Sequence, residues 1–472
     1  MSNPVKSKSV LLAASVALAA QVASAQPTGA DRVYTADQNT NTVSVFDPST
    51  NKLLGQIKLG NQRPDVLSPL YRGEVNVHGM GFSPDHKTLL VISNGSNSAI
   101  FIDTATNKVK GKTYVGRSPH EGFFTADGKE AWVVVRGEDY ISVIDPNTFK
   151  ETRRIPTAVG PGMVQFLPDG KLAFAVSSFT PEVDVIDVKA HKVIKRIPVV
   201  SPFSPFLQYT PDYKEVWMTH KDVGKVTRID VKTQAVTQVI DTGPITNHLS
   251  FATVHGKVYA YVSIGGENVV KVYSTDKEAK LVATIPTGAL PHGMWTSDDS
   301  SRVYVGLENG DGVDVIDPAA NKVVAHMGGG QAPQALIFLS KVARPGSADN
   351  LVARVNDDPV NVKLKPVHEQ GRGFVVARNL GLVDAFEVSL FQLKPQTMYS
   401  VYLAGQDAPV ANFKTDAKGM ANGSVIGPVK SYAGAQPAAS GGSAGTGAGH
   451  RILVMEGNAK ANAAQAVLVD AG

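Results

Sequence analysis

The chain has 472 residues, of which 43% are hydrophobic and 19% charged, with a formal net charge of +4 and no cysteine. A length beyond about 300 residues favours more than one domain, and this composition is typical of globular proteins. The small net charge gives no indication of a nucleic-acid-binding surface. The absence of cysteine excludes disulfide bonds, thiol catalysis and thiolate metal sites.

The first 25 residues have the pattern of a secretory signal peptide. Lys6 and Lys8 precede an apolar run at 10–20, and small residues at 23–25 precede Gln26. We predict cleavage after Ala25 and a periplasmic or secreted location. The run is too short to span a bilayer, and no later segment approaches the ~18 apolar residues that a span needs. The sequence therefore predicts no membrane span.

A repeated motif runs through residues 31–340, in which an apolar alternation leads into a polar turn residue and a second apolar run follows. It occurs seven times, with turn residues Asp47, Asp103, Asp145, Asp187, Asp230, Ser274 and Asp317. Their spacings of 56, 42, 42, 43, 44 and 43 residues match the period of about 43 residues typical of propeller blades. The long first interval holds an insertion at 64–77. We interpret the aspartates as turn formers, because their carboxylates accept hydrogen bonds from nearby backbone N–H groups.

Each repeat contains four short runs of strand-like composition, which predicts a four-stranded blade. The innermost strands are expected to begin near His78, His120, Gly162, Pro205, His248, His292 and Gln334. The first blade lacks such a run before Asp31. We expect Pro333 to Leu339 to complete it and so to close the ring of blades.

The runs VSVFDPSTNKLLGQI, ISVIDPNTFKETRRI and VDVIDPAANKVVAHM resemble YVTN β-propeller repeats. This resemblance implies an all-β, seven-bladed β-propeller over residues 31–340. Similar propellers occur in surface-layer proteins, lactonases, an antibiotic lyase, nitrous oxide reductase and haem d1 nitrite reductase. The resemblance therefore indicates a fold and leaves the function open.

The repeat period ends after the run Lys341 to Gly346. Alternating apolar runs then recur from about residue 360, which predicts a smaller, β-sandwich-like domain over residues 350–472. A stretch rich in glycine, alanine and serine at 431–449 is predicted to be a loop within it.

Four histidines, His78, His120, His248 and His292, occupy the same position at the start of an inner strand. Imidazoles that converge on a channel mouth suit a transition metal or, together with nearby arginines, an anionic ligand or macrocycle; the cofactor is otherwise left open. The resemblance to nitrous oxide reductase implies that a propeller hub can hold a histidine-ligated metal cluster. This chain departs from that enzyme at three of the seven hub positions. The alternative is that each ring hydrogen-bonds the backbone of the next blade.

Arg63, Arg117, Arg136 and His220 are predicted to lie on the same face, where they would bind an anionic ligand. Motifs such as Gly-x-Ser-x-Gly or His-Glu-x-x-His are absent. We therefore predict an exported, non-catalytic binding or scaffold protein that recognises a small ligand or a protein partner at the channel face. The alternatives are a metal- or redox-linked enzyme or accessory protein that uses the hub histidines and, more weakly, a lactonase or lyase.

Overall fold

The computed structural model describes residues 26–62, 65–368, 370–380, 383–403, 408–427, 452–457 and 459–470. These residues form β-strands, turns and one 3-10 helix, Asp65–Leu67, which confirms the all-β prediction. In this part of the chain no helix has the length and apolar character needed to cross a membrane. The predicted signal peptide (1–25), the predicted loop at 431–449 and Arg63 lie outside the described residues.

Seven four-stranded antiparallel sheets form the propeller, and the first of them joins the two ends of the repeat region. Blade one contains β1 (Arg32–Asp37), β2 (Thr42–Asp47) and β3 (Lys52–Lys58). Its innermost strand, Pro333–Leu339, comes from the far end of the propeller and pairs antiparallel with β1, with Val33 opposite Phe338. The ring closure predicted from the missing first strand is confirmed.

Blades two to seven each use four consecutive strands, with the first strand innermost. Blades two to four consist of β4 (Val77–Phe82), β5 (Thr88–Ser93), β6 (Ser98–Asp103), β7 (Lys108–Tyr114), β8 (Pro119–Phe124), β9 (Ala131–Val135), β10 (Tyr140–Asp145), β11 (Lys150–Pro156), β12 (Pro161–Phe166), β13 (Leu172–Ser177), β14 (Glu182–Asp187) and β15 (Lys192–Pro198). Blades five to seven consist of β16 (Leu207–Tyr209), β17 (Glu215–His220), β18 (Lys225–Asp230), β19 (Ala235–Asp241), β20 (Thr246–Val254), β21 (Lys257–Ile264), β22 (Val269–Ser274), β23 (Leu281–Pro286), β24 (Pro291–Thr296), β25 (Val303–Leu307), β26 (Gly312–Asp317) and β27 (Lys322–Gly328). The closing strand Pro333–Leu339 is β28.

The alternating pattern places the cores between adjacent blades. One cluster joins Tyr34 and Val45 of blade one to Leu89 and Ile102 of blade two. The turns between third and fourth strands are held by the predicted aspartates: Asp47 accepts hydrogen bonds from the Ser49 N–H and hydroxyl, at 2.9 and 2.6 Å. Equivalent bonds occur at Asp103, Asp145, Asp187, Asp230 and Asp317. These aspartates are turn residues, as predicted.

In its described residues the C-terminal domain forms one eight-stranded antiparallel sheet that nearly closes into a barrel, where the sequence predicts a sandwich-like arrangement. Its strands are β29 (Val360–Pro366), β30 (Arg372–Asn379), β31 (Asp384–Phe391), β32 (Met398–Leu403), β33 (Ala411–Lys414), β34 (Ala421–Gly427), β35 (Ile452–Glu456) and β36 (Leu468–Asp470). The order β33-β32-β35-β36-β29-β30-β31-β34 brings the edge strands β33 and β34 next to each other. One apolar core, including Leu364, Val388 and Val454, fills the interior.

A linker carries the chain from one end of the propeller to the other. The inner strands run away from the face formed by the blade-to-blade loops, here called the upper face, so β28 ends at the lower face. The linker then follows the outer strand of blade one, where Val352 and Gln56 exchange backbone hydrogen bonds of 2.9 Å. This path delivers the barrel to the upper face.

Candidate functional site

The four hub histidines lie around the channel as two pairs of neighbouring rings. The ring centroids are 4.6 Å apart for His78 and His120 and 4.9 Å apart for His248 and His292. All four are buried, with at most 9% of their surface exposed. Burial lowers the pKa of each ring, to about 4 for His292, so the imidazoles are neutral at pH 7.

Neutral rings fix the direction of the hydrogen bonds in the first pair. His120 Nδ1 donates to the carbonyl of Gly162 in the next blade, at 2.6 Å. Its Nε2 must then accept from His78 Nε2–H, at 2.9 Å. His78 Nδ1 is left as an acceptor 2.7 Å from Gln38 Oε1, so the Gln38 amide has to be turned over for its NH2 group to donate there. All four ring nitrogens of this pair are therefore bonded.

The second pair is also tied to its neighbours. His292 Nδ1 donates to the carbonyl of Gln334 in the next blade, at 2.8 Å, and the His248 ring stacks on Phe206 at 3.9 Å. His120 and His292 thus make the bond to the next blade that the alternative interpretation predicts. Among the described residues no group of three or more His, Cys, Asp or Glu side chains is arranged to hold a metal ion.

A second set of side chains lies at the channel mouth, at the residue that directly follows the second strand of each blade. We call these seven residues the upper ring: Gln38, Asn94, Arg136, Ser178, Lys221, Gly265 and Glu308. Sequence reasoning selected only Arg136 from this set. The other six positions could have been located from the sequence, because all seven repeat with the same spacings as the turn residues.

Four of the seven upper-ring residues have buried polar atoms without a hydrogen-bond partner among the described residues. These atoms are Asn94 Oδ1, Arg136 Nε and Nη2, Ser178 Oγ and Glu308 Oε2. Buried polar atoms are nearly always bonded in native proteins, so each exception requires an explanation. An uncompensated buried donor or acceptor costs about 1–3 kcal/mol. Their concentration in one ring indicates a site for a polar molecule.

The lower end of the channel is lined by aromatic side chains from blades two, three and seven, which border a cavity of about 390 Å³. The ring centroids of Phe82 and Trp295 are 5.6 Å apart, and Phe123 stacks near Trp295 at 6.5 Å. The channel is therefore polar at the upper end and aromatic at the lower end.

The barrel sits over the upper face, where it contacts blades one, five, six and seven; of the upper ring, Gln38, Lys221 and Glu308 lie beneath it. The Arg378 guanidinium of β30 donates to both carboxylate oxygens of Asp311 in blade seven, at 2.8–3.1 Å, and to the Glu308 carbonyl. Asn39 donates to Glu387 of β31 at 2.9 Å, and Ile245 packs on Phe374 and Phe391. A cavity of about 400 Å³ remains between the two domains.

The other predicted site residues occupy different environments. Arg117 is exposed and contacts the Gly137 carbonyl and Glu138. His220 is fully buried inside blade five, where its ring nitrogens bond the hydroxyls of Ser204 and Thr227 at 2.9 and 2.7 Å. Its ring is therefore held within the blade, whereas the following residue, Lys221, lines the cavity.

Residues 129–342, which include blades four to seven and most of blade three, match the family of YNCE-like β-propellers. The match agrees with the propeller repeats identified in the sequence. No curated protein matches the chain.

Solved structures share the fold at low sequence identity. A functionally unknown protein from Desulfotomaculum acetoxidans has a TM-score of 0.56 at 15% identity, covering 66% of this chain and 99% of that one. The periplasmic gluconolactonase of Pseudomonas aeruginosa has a TM-score of 0.53 at 16% identity, with coverages of 66% and 99%. Kuenenia stuttgartiensis hydrazine synthase has a TM-score of 0.51 at 20% identity, with coverages of 57% and 92%. These similarities concern the fold alone.

Proposed function

We propose that the protein is an exported, non-catalytic binding protein for a small anionic ligand at the upper mouth of its channel. Part of this β-propeller matches the YNCE-like family, and its channel mouth carries the polar upper ring. The observation that carries this proposal is the ring of unpartnered buried polar atoms on Asn94, Arg136, Ser178 and Glu308. A bound polar molecule would supply their missing partners. Export is supported by the signal-like pattern at residues 1–25.

The sign of the ligand follows from Arg136. Burial lowers the pKa of its guanidinium to about 9, so it still carries its charge at pH 7. A buried cation with unpartnered N–H groups is costly unless an anion accepts from it. Arginine is also well suited to a carboxylate or phosphate, because its N–H groups form a planar fork.

The metal-linked alternative has less support. A metal ion binds a ring nitrogen through a free lone pair. All four ring nitrogens of His78 and His120 take part in hydrogen bonds instead. The lactonase or lyase alternative rests on a fold shared with enzymes, which does not by itself carry their chemistry.

The test measures the melting temperature of the purified protein against a panel of small acids, amines, polyols and lactones. We expect at least one class of small acid to raise the melting temperature of the wild type and of the Arg117→Gln control, but not that of Arg136→Gln. Arg117 is the matched control because it is an exposed arginine of the same face. Elemental mass spectrometry of the same samples tests for stoichiometric metal, and NMR of the lactone mixtures tests for turnover.

Stoichiometric metal in the wild type, or lactone turnover that depends on a hub residue, would replace binding with one of the two alternatives. A wild type that responds to no panel member would overturn the proposal and assign the unpartnered atoms to channel water.

A further inference from the structure

The cavity between the propeller and the barrel contains opposite charges that do not pair with each other. Lys221 and Glu308, two upper-ring residues, both line it. They attract each other through space, and this attraction lowers the pKa of Glu308. Even so, no ion pair of up to 4.0 Å joins them or links either side chain to another described residue. A molecule placed between them can therefore meet both charges.

Lys221 and Glu308 bring one basic and one acidic side chain to the cavity, and a second basic side chain, Arg136, lies outside its lining but interacts electrostatically with Lys221. Arg136 keeps its charge at pH 7, and burial lowers the pKa of the Lys221 ammonium. Burial acts to raise the pKa of Glu308, but its neighbours, with Lys221 first among them, together outweigh burial and hold that pKa low, so Glu308 is anionic. Burial raises the pKa of Glu121, which faces Arg136, to about 8, so this carboxyl is mostly neutral at pH 7. Glu387 and Asp311 are satisfied by Arg378. The complementary ligand therefore carries a carboxylate for the basic side chains and a donor group for Glu308.

The barrel supplies the opposite wall of the cavity with groups that both donate and accept hydrogen bonds. Ser389 of β31 lies opposite Asn422 of β34, and Glu387 lies opposite Ser424. All four line the cavity. Hydroxyl and amide groups of this kind suit hydroxyl or amino groups of a ligand. A volume of about 400 Å³ lies near the lower end of the range for small-molecule sites.

We propose that the ligand is a small carboxylic acid that also carries hydroxyl or amino groups, bound across the gap between Lys221 and Glu308 and covered by the barrel. Its carboxylate accepts hydrogen bonds from the Lys221 ammonium, and the charge of Arg136, which interacts electrostatically with Lys221, adds to the attraction. A hydroxyl or amino group donates to Glu308, and the remaining polar groups meet Ser389, Asn422 and Ser424. This proposal rests on the proposed binding function and assigns to the barrel a direct part in recognition.

Isothermal titration of the full mature chain tests the ligand class with four sets of compounds of three to six carbons. The sets are hydroxy acids, amino acids, polyols without a carboxylate and simple carboxylates without a donor. We expect measurable binding of a hydroxy acid or an amino acid and at least tenfold weaker binding of the polyol and the simple carboxylate of the same carbon number. Binding of the hydroxy acids would place a hydroxyl group at Glu308, and binding of the amino acids would place an ammonium group there.

The variants test the two walls separately. Lys221→Gln should weaken binding at least tenfold, whereas Lys221→Arg, which keeps the charge, should retain most of it. Glu308→Gln should weaken the binding of an amino acid more than that of a hydroxy acid, because only the amino acid has an ammonium group that pairs with the Glu308 carboxylate. Asn422→Ala and Ser424→Ala should each weaken binding severalfold, and Arg117→Gln should leave it unchanged. Thermal unfolding of every variant separates lost binding from lost folding.

The outcomes distinguish this proposal from the binding function itself. If a phosphate binds with dependence on Arg136 while both acid sets fail, the carboxylic-acid class is wrong and the proposed binding of an anion stands. If only a polyol or an amine binds, the ligand class and the anionic ligand of the proposed function are both wrong. If an acid binds but the two barrel variants bind it as the wild type does, the barrel has no part in recognition. If no compound binds, both proposals fail.

Discussion

At the scale of single residues, the same repeat position serves different purposes in different blades. The residue after the second strand is an amide in Gln38, a cation in Arg136 and Lys221, and an anion in Glu308. The inner-strand position below it carries the histidines, which are neutral because they are buried. Charge at the channel mouth is thus set by the upper ring, and the histidines form an uncharged layer beneath it.

The buried histidines should make the protein sensitive to mild acid. Burial lowers the pKa of His220 to about 4, so the folded state resists a proton that the unfolded state binds below pH 6.5. The stabilisation from neutral His220 is present above pH 6.5 and is lost as the pH falls towards 4. Between pH 7 and pH 5 this residue should account for about 2 kcal/mol of the decrease in the free energy of unfolding.

Urea unfolding of the wild type and His220→Asn at both pH values measures this contribution. We expect the variant to lose about 2 kcal/mol less than the wild type over the interval, whatever its stability at pH 7. The control is His255→Asn, whose ring is exposed on the turn between β20 and β21. Equal losses in the wild type and His220→Asn would contradict the prediction.

At the scale of secondary structure, neighbouring inner strands approach each other so closely around the channel that some of their positions require glycine. A Cβ atom at Gly81 of β4 would lie 1.8 Å from the carbonyl oxygen of Gly122 in β8, and one at Gly79 would lie 1.9 Å from the carbonyl oxygen of His120. Real Cβ atoms do not approach backbone so closely. Glycine at these positions therefore lets adjacent inner strands pack side by side.

We predict that Gly81→Ala destabilises the propeller by about 3 kcal/mol or more, because either the strand or its neighbour in blade three must move. Gly306→Ala in β25 is the matched control: its Cβ would lie 3.6 Å from the nearest atom, an ordinary contact, and we expect a change within about 1 kcal/mol. Urea unfolding of both variants gives the comparison. Similar stabilities for the two would show that the blades are not in contact at β4.

At the scale of the whole molecule, docking of the barrel turns an open channel mouth into a covered cavity. The docking contact between Arg378 and Asp311 is almost completely buried, with side-chain exposures of 1% and 0%. A second pair between the domains, Lys418 and Asp222, is partly exposed at 56% and 28%. The two pairs therefore differ in burial while joining the same two domains.

Removal of the buried partner should loosen the barrel. Arg378→Ala leaves Asp311 buried without its cation, which costs about 3–5 kcal/mol, whereas Lys418→Ala should cost less than about 1 kcal/mol. We expect limited proteolysis to separate the propeller from the barrel much faster in Arg378→Ala than in the wild type or Lys418→Ala. Equal cleavage rates in all three would show that the ion pair does not hold the domains together.

The sequence by itself determined the seven blades, the turn aspartates, the strand that closes the ring and the position of the histidines, because a fixed period of about 43 residues repeats a local pattern of alternation and turns. The upper-ring positions repeat with the same period, but Gln38, Arg136 and Glu308 share no chemistry, so the sequence did not mark them as one site. The sequence also predicted a second β-rich domain, but it did not predict that this domain closes into a barrel or that it docks on the upper face of the propeller. The strands β33 and β34 and the docking contacts of Arg378 were decided only in the tertiary structure, because they join residues far apart in the chain, where no local pattern records which surfaces meet.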